Sequence, residues 1–312
     1  MKVLVTGCAG FIASHLCDRL LADGHTVIGV DCFTNYYARP VKERNLSGFR
    51  SHPQFTFREL DLGTDILADA VAGVELVFHL AAMPGLTRSW LDFDTYNYHN
   101  LTATHRLLEA VKGQRGLTKF VYASTSSVYG KYASGDESLP TRPSSPYGIT
   151  KLAAEQLCRV YHDEFAVPAV VLRYFSVYGP RQRPEMGYHL FIDAVLRGKA
   201  ITLTGDGLQV RGNTYVSDCV EATVRAGFGA MAGEVYNLGG GELTTVIEVI
   251  RKIERLAGKP AIIERHPPRT GDQLATAADI GKYWRHLGWK PTTTLDEGLM
   301  NQIEWQRELI QN

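Results

Sequence analysis

The 312-residue sequence has no excess of charge of either sign, because 33 lysines and arginines balance 33 aspartates and glutamates. A neutral chain gives no electrostatic reason to bind nucleic acid or an anionic membrane surface. The sequence also has no apolar run approaching the ~20 residues that cross a bilayer. We therefore expect neither nucleic acid nor a membrane as a partner.

Cysteine pairs and metal-ligand motifs are also scarce. The five cysteines form no CxxC pair, which favours reduced cytoplasmic thiols over a disulfide framework. The ten histidines show no HExxH motif or clustered ligand spacing, so we expect no metal. Met1 and Lys2 lead directly into a strand pattern, which leaves no room for a signal peptide before the first element. These features predict a cytoplasmic protein.

Short apolar runs alternate with amphipathic stretches through the first 175 residues. The runs are continuous rather than alternating, which is typical of strands covered on both faces. Strands separated by helices indicate an α/β fold with a doubly wound parallel sheet. The predicted elements are a helix over 11–21 and strands over 3–5, 26–30, 75–80, 120–123 and 169–172.

The pattern changes after residue 175. A breaker-rich, basic loop, GPRQRP, occupies 179–184, and GDG at 205–207 and GGG at 239–241 mark turns. We predict a domain boundary near residue 176. The first domain would cover 1–175, and a smaller C-terminal α/β domain over 176–312 would mainly bind the substrate and partly return to the first.

A glycine-rich turn, in the sequence VTGCAGFIASH, lies between the first predicted strand and the first helix. Gly7 and Gly10 let the backbone turn sharply and approach a pyrophosphate at the helix N-terminus, and Ala13 takes the third position of the pattern. Asp31 ends the second strand and would bond a ribose 2′-hydroxyl, which favours NAD over NADP. An ordinary turn with an N-cap aspartate is the alternative, but the strand–loop–helix context favours a Rossmann-type dinucleotide site.

The segment SSPYGITKLAAEQLCRVYHDEF predicts a helix capped by Ser145. Tyr147 and Lys151 stand four residues apart on one face. A neighbouring ammonium stabilises a phenolate and lowers its pKa, so this pair can take a proton from an alcohol. YxxxK is common by chance, so its interpretation as a catalytic pair depends on the glycine-rich turn upstream. The helix also carries a broad apolar side formed by Ile149, Leu152, Leu157, Val160 and Tyr161.

The order of these motifs resembles the extended short-chain dehydrogenase/reductase family, in its NAD-dependent epimerase/dehydratase group. The resemblance covers essentially the whole chain and adds Asp61-Leu62, FHLAA at 78–82 and the serine- and threonine-rich strand end at 123–127. It implies tightly bound NAD that is recycled, with Thr125, Tyr147 and Lys151 as catalytic residues. The implied NAD contacts are Gly7, Gly10, Phe11, Ile12, Asp31, Asp61, Leu62, Leu80, Ala81, Ala82, Tyr147 and Lys151.

The resemblance also assigns some individual roles. Thr125 would bond the sugar 4-hydroxyl, Tyr147 would be the base, Lys151 would contact the nicotinamide ribose, and Asn100 would support the active-site strand. A homodimer is implied, through two helices per subunit near 93–112 and 147–165. His79 ends a strand in FHLAA, and we expect it to be a packed, hydrogen-bonded histidine rather than a base.

Within this family, the segments 33–46, 78–90 and 174–192 are similar to enzymes that process UDP-glucuronic acid. Ser126 and Ser127 occupy positions where dehydratases carry acidic residues. Eliminating water needs a general acid and base, so a dehydratase is disfavoured. The resemblance implies a UDP-sugar held by Pro84, Arg88, Thr125, Ser126, Ser127, Ser176, Arg183, Arg211, Arg269 and Asp272.

Two outcomes stay open after oxidation of UDP-glucuronate at C4. The resulting β-keto acid loses carbon dioxide readily unless its carboxylate is held out of alignment with the carbonyl. Compared with the epimerases, Ser176 lacks a methyl, Gly212 loosens the backbone where an acidic residue is usual, and Leu274 replaces an arginine. These departures favour a UDP-glucuronate decarboxylase that yields UDP-xylose or its UDP-4-keto-pentose precursor. A UDP-glucuronate or UDP-glucose 4-epimerase is the alternative, and a non-catalytic NAD-binding regulator is a distant one.

Overall fold

The computed structural model describes residues 1–267 and 273–311. Its strands are β1 (Lys2–Thr6), β2 (Thr26–Asp31), β3 (Phe55–Glu59), β4 (Leu76–His79), β5 (Lys119–Thr125), β6 (Tyr132–Gly135), β7 (Ala169–Tyr174), β8 (Ser176–Tyr178), β9 (Ala200–Thr204), β10 (Val210–Tyr215), β11 (Val235–Leu238), β12 (Glu242–Thr245), β13 (Ile262–His266) and β14 (Ala275–Ala278).

The α-helices are α1 (Phe11–Ala22), α2 (Arg39–Ser47), α3 (Ala68–Val71), α4 (Phe93–Asn97), α5 (Ala103–Val111), α6 (Pro146–Phe165), α7 (Gly187–Arg197), α8 (Val216–Gly229), α9 (Val246–Ala257), α10 (Gly281–Leu287) and α11 (Leu295–Gln311). A π-helical turn, Tyr98–Thr102, joins α4 to α5. Among the described helices, none offers an apolar stretch that could span a bilayer.

A seven-stranded parallel sheet forms the centre of the molecule, in the order β3-β2-β1-β4-β5-β7-β11. Its strands are buried on both faces, since Val3 and Val5 of β1 pack into one core cluster while Leu4 packs into the other. Helices α1 and α8 cover the first face, and α5 and α6 cover the second. The predicted doubly wound, Rossmann-type α/β fold is thus confirmed.

Two strands of this sheet, β3 and β11, were not predicted from the sequence. β3, with the sequence FTFRE, forms one edge and is half exposed, so it lacks the continuous apolar character of its neighbours. β11 forms the other edge and comes from beyond residue 176. The proposed division into 1–175 and 176–312 stays a prediction, with β11 as the part of the second segment that returns to the main sheet.

A smaller α/β layer is built mainly from residues after 175, and β6 of the first segment joins it. Strands β12, β10, β14 and β6 form a sheet in that order, and β8 pairs with β10. β9 and β13 form a separate parallel pair. A third core cluster lies between α7, α9 and α11, with Ile192, Ile250 and Leu299 fully buried.

Helix α6 begins where the sequence predicts, but it does not bury its whole apolar side. The Ser145 hydroxyl accepts a hydrogen bond from the Gly148 N–H at 3.1 Å and caps the helix. Ile149 and Val160 are 52% and 50% exposed. The buried face carries Lys151 instead, because it is the side that turns toward the end of the sheet.

Candidate active site

A cleft opens at the carboxyl ends of β1, β2, β4 and β5, where open parallel sheets bind ligands. One end of the cleft, the cofactor end, contains Gly7, Asp31 and Asp61. The other end, the sugar end, contains Tyr36 and Arg183. The predicted site residues that line the cleft are Gly7, Gly10, Phe11, Ile12, Asp31, Asp61, Leu62, Leu80, Ala81, Ala82, Pro84, Thr125, Tyr147, Lys151 and Arg183.

The turn between β1 and α1 has no room for a side chain at its first glycine. Gly7 has a φ of +73°, and a Cβ there would stand 2.9 Å from the Ala81 backbone. A Cβ on Gly10 would stand 2.9 Å from the Gly7 carbonyl oxygen. The bare backbone therefore faces the cleft where α1 begins, which is the geometry that accommodates a phosphate group.

Asp31 ends β2 with its carboxylate held by backbone donors. Oδ2 accepts from the Ala9 N–H at 3.2 Å, and Oδ1 accepts from the Phe33 N–H at 2.8 Å. Burial raises the pKa of Asp31, and the Lys42 ammonium, 4.0 Å away, opposes that rise. Sequence reasoning missed Lys42, because nothing in the polar sequence of α2 distinguishes a buried lysine from an exposed one.

Asp61 lies with Cys32 and His99 in the same cleft. Their ligand atoms lie within 4.8 Å of one another. Burial lowers the pKa of His99 and raises the pKa of Cys32 to about 11. His99 belongs to the π-helical turn, a distortion that is frequent at functional sites. The expectation that the protein holds no metal stays a prediction.

His79 is packed and hydrogen-bonded at the end of β4, as predicted. The Thr104 hydroxyl donates to the Asn100 carbonyl oxygen, so it accepts from His79 Nε2 at 2.9 Å. His79 Nδ1 then accepts from the Thr6 hydroxyl at 2.7 Å, and Thr6 accepts from the Ala81 N–H at 3.1 Å. Burial lowers the pKa of His79 to about 3. A neutral imidazole therefore holds the loop that contains Ala81.

Asn100 is buried in the π-helical turn, and its support of the active-site strand stays a prediction. Its Oδ1 accepts from the Met83 N–H at 2.7 Å, and its Nδ2 donates to the Met83 carbonyl oxygen at 3.0 Å. Nδ2 also donates to the Thr150 hydroxyl at 3.0 Å. Asn100 thus joins the loop after β4 to helix α6.

Thr125 and Tyr147 meet in the cleft from different elements. Thr125 ends β5, Tyr147 lies in the first turn of α6, and both side chains line the cleft. The Thr125 hydroxyl also donates to Ser127 Oγ at 3.2 Å and accepts from the Ser127 N–H at 3.1 Å. The end of the strand therefore fixes the threonine that faces the tyrosine.

The electrostatic setting of Tyr147 corrects the expectation that Lys151 lowers its pKa. Burial raises the pKa of Tyr147, and the neighbouring Thr125 hydroxyl and the charge of Arg183 only partly oppose this rise. Lys151 is also buried, 4.2 Å from the Tyr122 ring centroid, and burial lowers its own pKa to about 7. The expected direction was wrong because desolvation disfavours the charged form of both groups.

Ser126 and Ser127 follow Thr125 in a short 3₁₀ turn, and both are buried. The Ser126 hydroxyl donates to Gln273 Oε1 at 3.4 Å. Gln273 Nε2 donates back to the Ser126 carbonyl oxygen at 3.3 Å and to the Gly130 carbonyl oxygen at 2.9 Å. The serine turn is thereby joined to the segment just before β14, a contact that no pattern in the sequence indicates.

Arg183 reaches the sugar end from the loop before α7. Its guanidinium carbon lies 6.0 Å from the Tyr36 ring centroid, and its Nε donates to Glu185 Oε1 at 2.6 Å. Arg88 lies 5.1 Å from the same ring and donates to the Tyr36 carbonyl oxygen at 3.5 Å. Both arginines were predicted, whereas Tyr36 was not, although it lies in a segment whose family likeness was noted.

Ser176 and Arg211 lie on paired strands beside the sugar end. Ser176 of β8 stands opposite Asn213 of β10 in parallel register. Arg211 of β10 donates to the Val210 carbonyl oxygen at 3.0 Å and to the Gln273 carbonyl oxygen at 2.7 Å. The predicted sugar contacts Arg269 and Asp272 lie outside the described residues.

Gly212 does not loosen its segment as expected. It is buried in β10, opposite Leu243 of β12, with β14 on the other side. A Cβ there would stand 3.2 Å from the Thr276 carbonyl oxygen. Strand pairing restrains this backbone, and the glycine serves close packing rather than freedom of movement.

Comparison with known proteins agrees with this geometry. The model of the NAD dependent epimerase/dehydratase family matches residues 3–239. The chain is 44% identical to a Bacillus subtilis (strain 168) protein named uncharacterized UDP-glucose epimerase YtcB, over 100% of this chain and 99% of that one. It is 36% identical to the UDP-glucuronate 4-epimerase of Thermodesulfobacterium geofontis (strain OPF15), over 99% and 97% of the two chains.

A solved structure is similar over the same length. The crystal structure of UDP-glucuronic acid 4-epimerase from Bacillus cereus, in complex with UDP-glucuronic acid and NAD, matches with a TM-score of 0.96 and 41% identity. The match covers 99% of this chain and 100% of that one. Fold, cleft and sequence agree, and the chain belongs to the NAD dependent epimerase/dehydratase family.

Proposed function

We propose that this protein is a UDP-glucuronate 4-epimerase that inverts C4 of the sugar through a 4-keto intermediate. The observation that carries the proposal is that the Thr125–Tyr147 pair and Arg183 line one cleft. A tyrosine can move a proton at a sugar hydroxyl, and an arginine can hold a carboxylate. The names of the T. geofontis relative and the B. cereus structure support this function.

NAD fits the cofactor end. The bare turn at Gly7 suits a pyrophosphate, and the Asp31 carboxylate suits a ribose hydroxyl. Asp61 and Leu62 would lie near the adenine, and Lys151 near the nicotinamide ribose, while the other predicted cofactor contacts form the walls. Bound NAD would supply the acceptor for the hydrogen removed from C4 and the donor for its return.

Tyr147 would handle the proton of the 4-hydroxyl, with Thr125 holding that hydroxyl in place. Burial raises the pKa of Tyr147, so the phenol carries a proton in the free protein and must release it to solvent before it can take the proton of the 4-hydroxyl. The neighbouring Thr125 hydroxyl and the charge of Arg183 both oppose that rise, and so favour the phenolate that can accept a proton. Tyr147 would later return this proton to the 4-keto oxygen as the opposite face is reduced.

The same cleft supports epimerisation better than the decarboxylation that the sequence departures favoured. Decarboxylation needs the carboxylate aligned with the C4 carbonyl, and Arg183, paired with Glu185, offers a fixed partner that would hold the carboxylate in one orientation. Gly212, one of the reasons for expecting looseness, lies in a paired strand. A carboxylate fixed by Arg183 would stay out of alignment with the C4 carbonyl. Arg88, Ser126, Ser127, Ser176 and Arg211 would complete or support the UDP-sugar site.

We also propose that the protein acts as a cytoplasmic homodimer. Helix α6 exposes Ile149, Val160 and Phe165, and Phe93 at the start of α4 is 46% exposed. Exposed apolar side chains on one helix are typical of an association surface. These positions fall within the two segments expected to pair, 93–112 and 147–165.

Product analysis with UDP-glucuronate tests the proposed function. Epimerisation leaves the mass of the nucleotide sugar unchanged and alters the NMR coupling of its C4 proton. Decarboxylation lowers the mass by that of carbon dioxide. UDP-glucose, tested in parallel, measures how far a neutral sugar substitutes. No turnover of either sugar would contradict the proposal.

A further inference from the structure

A short turn brings Glu185 back onto Arg183. The Met186 N–H donates to the Arg183 carbonyl oxygen at 3.0 Å, and Pro184 restricts the backbone between the two charged residues. Glu185 Oε1 then accepts from Arg183 Nε at 2.6 Å. The arginine side chain is 21% exposed and the glutamate side chain is 39% exposed. The cleft therefore contains an arginine, Arg183, whose Nε is already hydrogen-bonded to Glu185.

The choice of nitrogen limits how Arg183 can bind a second carboxylate. A guanidinium pairs with a carboxylate either side-on, through Nε and one terminal nitrogen, or end-on, through Nη1 and Nη2. Because Glu185 holds Nε, the side-on arrangement is already taken. The end-on arrangement, with both terminal nitrogens, is the one left for a ligand in the cleft.

We propose that Glu185 is a positioning residue that presents Arg183 end-on to the sugar carboxylate, and that it thereby gives the site its preference for a uronate over a neutral hexose. The inference rests on the proposed function, since it takes the C6 carboxylate as the group that Arg183 binds. Glu185 itself contacts the arginine and not the reacting atoms.

Two opposing effects decide whether the Glu185–Arg183 pair strengthens binding of the sugar carboxylate. The negative charge of Glu185 repels a second carboxylate, but Glu185 is more than one-third exposed and lies on the Nε side, so water and salt screen the repulsion. Against that, an unanchored arginine loses much rotamer freedom when it binds a ligand. Anchoring Nε removes that freedom beforehand and fixes the plane of the guanidinium.

Two substitutions separate the anchor from the charge. Glu185→Gln removes the charge but keeps an oxygen that can accept from Nε, and Glu185→Ala removes both. Titration calorimetry on the NAD-loaded full-length protein would measure the affinities of both variants for UDP-glucuronate and UDP-glucose. We expect Glu185→Ala to bind UDP-glucuronate about five- to tenfold more weakly than Glu185→Gln does. The affinities of the two variants for UDP-glucose should agree within about twofold.

Equal affinities of the two variants for UDP-glucuronate would overturn the inference, as would equal weakening for both sugars. Because the readout is binding, it does not depend on turnover. Failure of the proposed function would appear separately, as a wild-type protein that binds UDP-glucuronate without converting it. Circular dichroism and the melting temperature confirm that each variant is folded, and the exposure of Glu185 predicts little change.

Discussion

The two ends of the cleft are built in different ways. The cofactor end comes from consecutive strand–helix units within the first hundred residues, and backbone conformation shapes it, as at Gly7. The sugar end gathers Tyr36, Arg88 and Arg183 from distant parts of the chain, and contacts between side chains shape it. The first end is therefore sensitive to added bulk, and the second to changes of charge and orientation.

Tyr147→Phe should have the largest effect, because Tyr147 stands between the two ends and carries the proposed proton transfer. Losing a general acid–base group lowers the rate by about 10²- to 10⁴-fold. Binding of NAD and of UDP-glucuronate should change little. Turnover measured by chromatography, with both affinities measured by calorimetry, tests this separation. Unchanged turnover would refute the assignment, and an unchanged biological role in cells would favour a non-catalytic NAD-binding regulator.

Gly7→Ala should damage the cofactor end through backbone strain and a clash. Both Gly7 and Gly24 have positive φ values, +73° and +80°. Only the Gly7 substitution brings a Cβ within 2.9 Å of Ala81, whereas Gly24 has nothing within 4 Å. Each alanine costs about 1–2 kcal/mol from its backbone conformation, and Gly7→Ala should add about 1–3 kcal/mol from overpacking.

Gly24→Ala is the matched control for that prediction. The NAD retained after gel filtration should fall about tenfold in Gly7→Ala and stay at the wild-type level in Gly24→Ala. Urea unfolding of both variants measures the difference in stability. Equal NAD content in the two variants would show that the close approach at Ala81 is unimportant for the cofactor.

Arg183→Lys should act on the sugar end alone. Lysine keeps the positive charge but cannot offer two fixed N–H groups to one carboxylate. We expect UDP-glucuronate to bind about tenfold more weakly, which corresponds to about 1.4 kcal/mol. UDP-glucose and NAD should bind nearly as before. Equal weakening of both sugars would mean that Arg183 does not bind the carboxylate.

Lys151 should link stability to pH where the two ends meet. Its pKa is lowered by burial to about 7 in the folded protein, against about 10.4 in an unfolded chain. Between these values the unfolded state binds more protons, so stability should rise with pH.

The expected slope is about 1 kcal/mol per pH unit, for NAD-free protein relative to Lys151→Met. Denaturant unfolding of both proteins between about pH 7.5 and pH 9.5, a window within that interval, provides the difference. A flat or falling difference would contradict burial as the dominant influence on Lys151.

The sequence predicted most of the main sheet, because a strand buried on both faces has a continuous apolar run. It missed β3, whose sequence FTFRE reflects a half-exposed edge, and β11, whose place depends on a long return of the chain. It located the glycine turn and Asp31 because their spacing is local. The local pattern was sufficient wherever the backbone alone builds the feature.

The local sequence pattern was insufficient where tertiary contacts determine the burial, the pKa or the backbone restraint of a residue. Lys42 lies in a polar helix and gave no sign of burial beside Asp31. The pKa direction of Tyr147 was wrong because helical spacing shows proximity but not desolvation. Gly212 was expected to make the backbone more flexible, but its pairing with β12 restrains that backbone. Each of these depends on residues far away in sequence.

The most direct test of the central claim is to follow the hydrogen on C4. We expect UDP-glucuronate carrying deuterium at C4 to yield the C4 epimer with unchanged mass and with the deuterium still on C4, because the same bound NAD would remove and return it. NMR and mass spectrometry of the isolated product measure both features. A product that has lost carbon dioxide, or one that carries ordinary hydrogen at C4, would contradict the account.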